Sequence, residues 1–248
     1  MTKHSIRLQR ESATPLYLQL KTTLIDEINA GRYQPGQRLL SERELGERYK
    51  VSRMTVRQAL SELIRENWIY SRVGKGTFVN EPKVHQELRT LTGFSQDVAQ
   101  RGGKPSSKVL AAQVASASLN ISKILKLQPE AEVVTLSRLR FSDNVPMSIE
   151  TAYIPHHLCP GILSHDFSRQ SLYEVFQKEY HIHLIHSEQS MEASLANEQE
   201  LSMLSLASPA PVMHIERITR DDCDVIVEYV VSTYRGDRYR FYTSLHPH

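Results

Sequence analysis

The stretch of residues 41–79 constrains the fold more than any other part of the chain, because three local patterns follow one another in it. Ser41 is followed three residues later by Glu44, and this spacing is typical of a capping box that begins a helix. Ser52 is placed to cap a second helix directly after a tight turn. The stretch therefore predicts a short helix, a turn, a second helix and a small β-hairpin.

The second helix of this stretch combines an apolar stripe with a basic face. Its apolar residues recur at helical spacing and predict one buried stripe, formed by Val56, Ala59, Leu60, Leu63 and Ile64. Arg53 and Arg57 are four residues apart and share a face, with Thr55 near them. Arginine can bind guanine edges, and threonine can contact a base or a phosphate. The pattern favours a recognition helix in the major groove of DNA, although an ordinary amphipathic helix with solvated arginines stays open.

A cationic hairpin follows the second helix. Residues 68–70 and 77–79 favour two strands, and the turn between them contains Gly74, Lys75 and Gly76. The glycines allow a sharp turn and a close approach to another molecule, and Lys75 carries a positive charge to the tip. This order is typical of a winged helix, whose hairpin tip contacts phosphates or the minor groove.

The charge distribution divides the chain into two parts. Residues 1–80 contain 14 Lys and Arg against 8 Asp and Glu, a net charge of +6, whereas residues 81–248 contain 16 against 20, a net charge of −4. A basic N-terminal part is expected of a domain that binds the DNA backbone. The mildly acidic remainder is better suited to a small molecule or another protein.

Length and composition exclude several classes of protein. The chain has 248 residues, of which 40% are apolar and 23% charged, and this is enough for two globular domains. It has no run of ~18 apolar residues that would cross a membrane, and its N-terminus lacks an apolar signal core. The two cysteines, Cys159 and Cys223, are too few for a disulfide framework. We therefore expect a cytoplasmic protein with no membrane partner.

The pattern changes at residues 81–83, which mark a linker. Beyond them, predicted hairpins turn at residues 142–144 and at 221–224, and short helices lie between the strands. The predicted helices cover residues 93–101, 121–127, 171–180 and 198–206, and the strands cover 108–117, 132–141, 145–154, 184–195, 212–219, 225–234 and 239–245. This order predicts an α+β domain on an antiparallel sheet. We expect a DNA-binding domain over residues 1–80, a linker over 81–91 and a second domain over 92–248.

Arg138 and Arg140 are the candidate binding residues of the second domain. They are two apart on a predicted strand, so both side chains point to one face, where their charges need an anion or carboxylates nearby. Ser171 would cap a helix whose free N–H groups attract an anion, and Ser95 lies near the start of another helix. These groups could bind a phosphate or a carboxylate. In the alternative, the arginines belong to a structural network with two carboxylates, Glu150 and Glu228.

No pattern predicts catalytic residues, a metal or a cofactor. The histidines at 181, 183 and 186 lie close together, but no cysteine or carboxylate pattern accompanies them. Cys159 lacks a paired base and is expected to be a small buried residue.

The run SERELGERYKVSRMTVRQALSELIRENWIYSRVGKGTFV over residues 41–79 resembles the winged-helix domain of GntR-family bacterial transcription regulators. The resemblance implies that the hairpin tip enters the minor groove. It also implies seven residues that contact DNA: Arg43, Arg53, Thr55, Arg57, Gly74, Lys75 and Gly76.

Residues 84–246 resemble the ligand-sensing UTRA domain of the HutC branch of that family, which shares its fold with chorismate lyase. The resemblance is carried by LTGFS at 91–95, SRLR at 137–140, PMSIE at 146–150, QSLY at 170–173, VEY at 227–229 and YRGDRY at 234–239. The chain is most similar to the branch of N-acetylglucosamine-utilisation repressors. The resemblance implies that residues 92–248 form an antiparallel-sheet domain for effector binding and dimerisation.

Branch members that sense amino-sugar phosphates bind them with residues that match positions of this chain. The resemblance assigns the phosphate to Phe94, Ser95, Arg138, Arg140, Ser171 and Tyr173. It assigns the sugar to Glu150, Glu228 and Tyr234. The expected effector is glucosamine 6-phosphate or N-acetylglucosamine 6-phosphate.

These inferences together predict a ligand-responsive transcription repressor that binds a palindromic DNA operator as a homodimer. They do not predict an enzyme. Three alternatives stay open: the same regulator with a carboxylate effector, a chorismate-lyase-like enzyme, and an architectural DNA-binding protein without a ligand.

Overall fold

The structure is a computed structural model that describes residues 8–9, 12–66, 68–72, 74–80, 83–88 and 90–245. The chain divides into two compact units, Met1–Lys83 and Val84–His248. Glu81 and Pro82, at the start of the predicted linker, lie outside the described residues, as does Val73 in the predicted hairpin turn. No helix among the described residues is both long and apolar enough to cross a membrane.

From residue 41 onwards, the N-terminal unit has the predicted order of elements, and one further helix precedes them. Its helices and strands are α1 (Leu16–Asn29), α2 (Glu42–Tyr49), α3 (Arg53–Arg65), β1 (Ile69–Arg72) and β2 (Gly76–Val79). Ser41 and Glu44 form the predicted capping box of α2. The hydroxyl of Ser52 accepts a hydrogen bond from the backbone N–H of Thr55 and caps α3. Both predicted helix starts are confirmed, because each depends on side chains within one turn.

The apolar face of α3 forms the core of this unit together with α1 and α2. Val56, Ala59, Leu60 and Leu63 are buried beside Leu20, Leu24 and Leu45, among others. The prediction that Ile64 is buried with them is wrong, since its side chain is 42% exposed. Eight residues carry a helix about 80° past a whole number of turns, so Ile64 lies at the edge of the stripe that Val56 begins.

The hairpin after α3 is an antiparallel pair in which Ile69 faces Val79 and Arg72 faces Gly76. Gly74 has φ of 73° and Gly76 has φ of 105°, values that side chains disfavour. The two glycines therefore shape the turn, as the sequence predicts.

The second unit is an α+β domain, as predicted. Its elements are β3 (Val84–Glu87), α4 (Phe94–Gln100), β4 (Pro105–Ser116), α5 (Leu119–Ile124), β5 (Glu132–Ser142), β6 (Val145–Pro155), α6 (Leu172–Glu179), β7 (Leu184–Leu195), α7 (Glu198–Leu204), β8 (Pro211–Asp221), β9 (Ile226–Arg235) and β10 (Tyr239–Tyr242). Six strands form one antiparallel sheet in the order β4-β5-β6-β9-β8-β7.

Two strands lie outside this sheet. The last predicted strand ends at Tyr242 rather than at residue 245, and it pairs in parallel with β3. The strand β3 falls within the stretch predicted as a linker and was not foreseen. A parallel pair between segments about 155 residues apart leaves no local trace in the sequence, because its register depends on the folded domain.

Alternation along β5 determines which side chains face α6 and which face the opposite side of the sheet. Val134, Leu136, Arg138 and Arg140 share one face. On that face α6 packs its buried residues against Val134 and Leu136, whereas the opposite face packs against α5. Arg138 and Arg140 continue this row along β5, past the residues that pack against α6. A pocket lies in front of the two arginines.

Candidate functional site

A pocket lies on this face of the sheet, beside the first turns of α4 and α6. It encloses about 550 Å³ of space, counting the part continuous with solvent, and small-molecule sites have volumes of this order. Eight of the nine predicted effector residues line it: Phe94, Arg138, Arg140, Glu150, Ser171, Tyr173, Glu228 and Tyr234. The ninth, Ser95, contacts one of the lining arginines.

Two buried guanidiniums share one carboxylate in the wall of the pocket. Arg138 forms a short ion pair with Oε1 of Glu150, and Nη1 of Arg140 lies 3.3 Å from the same oxygen. Nη2 of Arg140 donates a hydrogen bond of 2.9 Å to the hydroxyl of Ser95. The two arginines therefore leave one positive charge that Glu150 does not balance.

Several polar atoms of these arginines are buried without a partner. They are Nε and Nη1 of Arg138 and Nε of Arg140. A buried donor that lacks an acceptor costs about 1–3 kcal/mol, more when it is charged. Donors of this kind in the wall of a pocket favour a ligand that supplies several anionic oxygens.

The pKa values of the charged groups follow from burial and from their neighbours. Burial lowers the pKa of Arg140 to about 10, although Glu150 opposes the shift, so this arginine stays charged at neutral pH. Burial would raise the pKa of Glu150, but Arg138 and Arg140 outweigh it and hold that pKa below its usual value. The pocket thus keeps its ionic pairs near neutral pH.

Glu228 forms a second, separate polar group in the wall. Its Oε1 accepts hydrogen bonds from the hydroxyl of Tyr173 at 2.5 Å and from that of Thr219 at 3.0 Å, while Oε2 is buried without a partner. Burial raises the pKa of Glu228, although the hydrogen bond from Tyr173 opposes the shift. The alternative of a structural network is therefore right for Glu150 but not for Glu228, which forms no ion pair with the two arginines.

Ser171 is the N-cap residue of α6, but its hydroxyl forms no capping hydrogen bond. The prediction is right about its position and wrong about its side-chain bond. The free hydroxyl lines the pocket together with Leu172, the first residue of the helix. Helix N-termini attract anions, so the N-terminus of α6 favours a negatively charged ligand, as Arg138 and Arg140 do.

Arg217 on β8 is a third cation of the pocket that the sequence analysis missed. Its Nε and Nη2 donate to Oε1 of Gln189 at 3.1 and 2.9 Å, and its Nη1 donates to the carbonyl oxygen of Thr92 at 3.4 Å. Alternation places Arg217 on the same face as Ile215, which also lines the pocket. That alternation and the β8–β9 hairpin are visible in the sequence, but the position of this hairpin beside β6 is not.

The predicted DNA-contacting arginines lie on the exposed side of the N-terminal unit. Arg43 and Arg53 are exposed. Arg57 donates to both carboxylate oxygens of Glu42, from Nε at 3.3 Å and from Nη2 at 3.1 Å. Glu42 was not predicted as part of this face, and it fixes the direction of the Arg57 guanidinium.

The remaining predicted contacts lie at the cap of α3 and at the hairpin tip. The hydroxyl of Thr55 lies 2.9 Å from that of Ser52, so it belongs to the cap. Gly74 and Lys75 are exposed, and Gly76 is half-buried. The tip thus presents its backbone and one lysine charge to the surroundings.

Comparisons with known proteins match both units. Residues 16–79 match the family model described as "Bacterial regulatory proteins, gntR family", and residues 100–240 match that of the UTRA domain. The first match spans the capped helices and the hairpin. The second spans the strands that carry Arg138, Arg140, Glu150, Arg217 and Glu228.

Individual relatives align over most of the chain. The HTH-type transcriptional repressor NagR of Bacillus subtilis is 35% identical over 95% of this chain and 97% of its own length. A probable fructoselysine utilization operon transcriptional repressor of Escherichia coli is 30% identical over 87% of this chain and 88% of its own. The crystal structure of PhnF from Mycobacterium smegmatis aligns with a TM-score of 0.67 and 26% identity, covering 92% of this chain and 100% of that one.

Proposed function

The chain belongs to the GntR family of bacterial transcription regulators, and on this premise we propose that it is a repressor whose operator binding responds to an amino-sugar phosphate. The family is one of regulators, so the enzyme alternative is discarded. The names of two relatives, NagR and the fructoselysine operon protein, include the word repressor.

The proposed DNA-binding surface consists of the exposed start of α3, Arg43 and the hairpin tip. Arg53 and Arg57 contact base edges, and the hairpin tip at residues 74–76 enters the minor groove, with the charge of Lys75 near the phosphates. A single domain of this size binds DNA weakly, so two copies of the chain bind the two halves of a palindromic operator. The basic charge of residues 1–80 supports this role, because it supplies the electrostatic part of the affinity.

The observation that carries the effector assignment is the set of buried, unpartnered donors on Arg138 and Arg140. A phosphate group presents several anionic oxygens at once and can satisfy these donors. The hydroxyls of Ser95 and Ser171 and the N-terminus of α6 lie at the same end and add further donors. The phosphate of the effector binds here.

The amino-sugar part of the assignment depends on the carboxylates. Glu228 has an unpartnered Oε2 in the pocket wall, and Glu150 lines the same pocket. Carboxylates accept hydrogen bonds from sugar hydroxyls and attract a protonated amine. Tyr234 lines the pocket toward the sugar, whereas Phe94 lies against the guanidinium of Arg140, on the side assigned to the phosphate.

Binding of the effector would alter the contact between β5 and α4. The phosphate oxygens would compete for Arg140, which donates a hydrogen bond to Ser95 at the start of α4. Effector control requires different affinities for two arrangements of the protein, and we infer that this contact differs between them. We infer that the arrangement with bound effector no longer fits both operator half-sites.

Thermal unfolding of the full-length protein with a panel of ligands tests the assignment. The panel contains glucosamine 6-phosphate, N-acetylglucosamine 6-phosphate, inorganic phosphate and small dicarboxylates. At 100 times its Kd a ligand stabilises the folded protein by about 2.7 kcal/mol. The proposal expects the largest shift from an amino-sugar phosphate. A shift from a carboxylate alone would replace the effector class, and no shift from any ligand would favour a DNA-binding protein without an effector.

A further inference from the structure

Met54 is a large apolar side chain on the surface that we assign to DNA. It is 69% exposed, more than any other large hydrophobic residue among the described residues of the N-terminal unit. It lies in the first turn of α3, directly after Arg53 and three residues before Arg57. A single exposed apolar side chain is common on protein surfaces, so what sets Met54 apart is its position between Arg53 and Arg57 on the surface assigned to DNA.

Met54 points away from the body of the unit. At about 100° per residue, it lies about 160° around the helix axis from the buried Val56. Arg57 lies about 60° from it on the same side. Met54 is therefore at the middle of the outward face of α3, where a recognition helix approaches base edges.

Two polar neighbours of Met54 are already engaged within the chain. Arg57 is held by both carboxylate oxygens of Glu42, and the hydroxyl of Thr55 is part of the Ser52 cap. These contacts engage Arg57 and Thr55, whereas Arg53, directly before Met54, is exposed. Met54 is thus an exposed apolar side chain between two cationic side chains.

A molecule that binds here must match both features. The adjacent arginines, Arg53 and Arg57, attract a polyanion. On the floor of the DNA major groove, the apolar group within reach of a helix is the C5-methyl of thymine. We propose that Met54 recognises one thymine in each operator half-site through apolar contact with that methyl. The inference rests on the proposed function and adds a specificity residue to it.

Removal of the methyl from the DNA tests the contact directly. A duplex operator is first selected from a random DNA pool with the purified full-length protein. Symmetric pairs of thymines are then replaced by deoxyuridine, one pair at a time, and affinity is measured by fluorescence anisotropy. Loss of one buried methyl lowers affinity about fourfold, so the loss of one symmetric pair should lower the affinity of the wild-type protein about sixteenfold.

Two protein variants test whether the loss of affinity caused by deoxyuridine depends on Met54. In Met54→Ala the cost of the same deoxyuridine pair should vanish, while the costs at all other pairs stay as in the wild type. Ile64→Ala is the matched control, because Ile64 is an exposed apolar residue at the far end of the same helix. It should keep the full methyl dependence. Both side chains are exposed, so both variants should unfold at nearly the wild-type temperature.

The possible results distinguish a failure of this inference from a failure of the proposed function. Selection of no DNA sequence at all would contradict the proposed function. A selected operator whose half-site lacks thymine, or a deoxyuridine cost that persists in Met54→Ala, would contradict the inference and leave the function standing. A cost that vanishes only in Met54→Ala supports both.

Discussion

Arg140 donates a hydrogen bond of 2.9 Å to the hydroxyl of Ser95, and this bond connects the strand β5 to the first turn of α4. The donor is 3% exposed and its pair with Glu150 leaves Nε without a partner. In the function that we propose, the phosphate of the effector would compete for the same guanidinium. Arg140 would then link ligand binding in the pocket to the first turn of α4.

Arg138→Ala should separate DNA binding from the effector response. The variant removes a pocket cation but leaves the N-terminal unit unchanged, so operator affinity in the absence of ligand should stay within about twofold. Its response to glucosamine 6-phosphate should be lost. Operator binding measured with and without ligand checks this. Arg169→Ala, which removes an exposed arginine, is the control. A normal response of Arg138→Ala would place the effector elsewhere.

Glu228→Gln should change how stability depends on pH. The folded pKa of Glu228 is raised above its ordinary value of 4.5, so the folded protein retains a proton that the unfolded chain releases as the pH rises. The free energy of unfolding of the wild type, relative to that of the variant, therefore decreases as the pH rises from 4.5 to the folded pKa. Below pH 4.5 this relative free energy does not change with pH. Denaturant unfolding from pH 3.5 to 7.5 measures it.

Glu150→Gln should give the opposite trend. Its folded pKa is lowered, because Arg138 and Arg140 outweigh burial. Ionised Glu150 thus contributes stability above the ordinary pKa of 4.5, and this contribution is lost as the pH falls through the folded pKa. The same sign of pH dependence in both variants would contradict the electrostatic account of the pocket.

Arg53→Ala and Arg57→Ala should each lose about 1–3 kcal/mol of discrimination between the operator and unrelated DNA. Lys75→Ala should weaken binding to both DNAs alike and reduce the salt slope of log K by about 1, because it removes one phosphate contact. Affinity for both DNAs at several salt concentrations distinguishes the two classes. Unchanged discrimination in both arginine variants would rule out α3 as the recognition helix.

Gly76→Ala should destabilise the hairpin more than Gly74→Ala. A Cβ on Gly76 would lie 2.8 Å from Nε of Arg38, and its φ of 105° is strained for alanine. A Cβ on Gly74 would meet nothing within 4 Å, and its φ of 73° is nearer to the left-handed helical region. We expect a loss of about 1–3 kcal/mol for Gly76→Ala and roughly 1 kcal/mol for Gly74→Ala. Equal losses of the free energy of unfolding in the two variants would contradict the expected steric clash between a Cβ at position 76 and the side chain of Arg38.

The sequence predicted elements that depend on neighbouring residues. The capping box of Ser41 and Glu44, the cap at Ser52 and the alternation that aligns Arg138 with Arg140 all act within a few residues. Their geometry is therefore visible in a window of the chain. Ile64 shows what such a window does not predict. The helical period indicates which residues share an apolar stripe, but it does not indicate which residue at the edge of the stripe is exposed to solvent.

Other parts of the site depend on contacts between distant segments. Arg217 reaches the pocket because the β8–β9 hairpin pairs with β6 through β9, and Glu42 orients Arg57 across the turn between α2 and α3. The pairing of β3 with β10 joins the two ends of the second unit. Such partners follow from strand order and helix packing, which alternation and charge do not specify. The family resemblance supplied the pocket residues that the pattern left undecided.

The most direct test of the central claim is an operator-release titration. The purified full-length protein is bound to its selected operator, and glucosamine 6-phosphate or N-acetylglucosamine 6-phosphate is added while fluorescence anisotropy is recorded. The account predicts that one of them weakens operator binding by about 5–150-fold, the usual range of allosteric coupling, and that Arg138→Ala abolishes the effect. Unchanged operator affinity at ligand concentrations that saturate the pocket would contradict it.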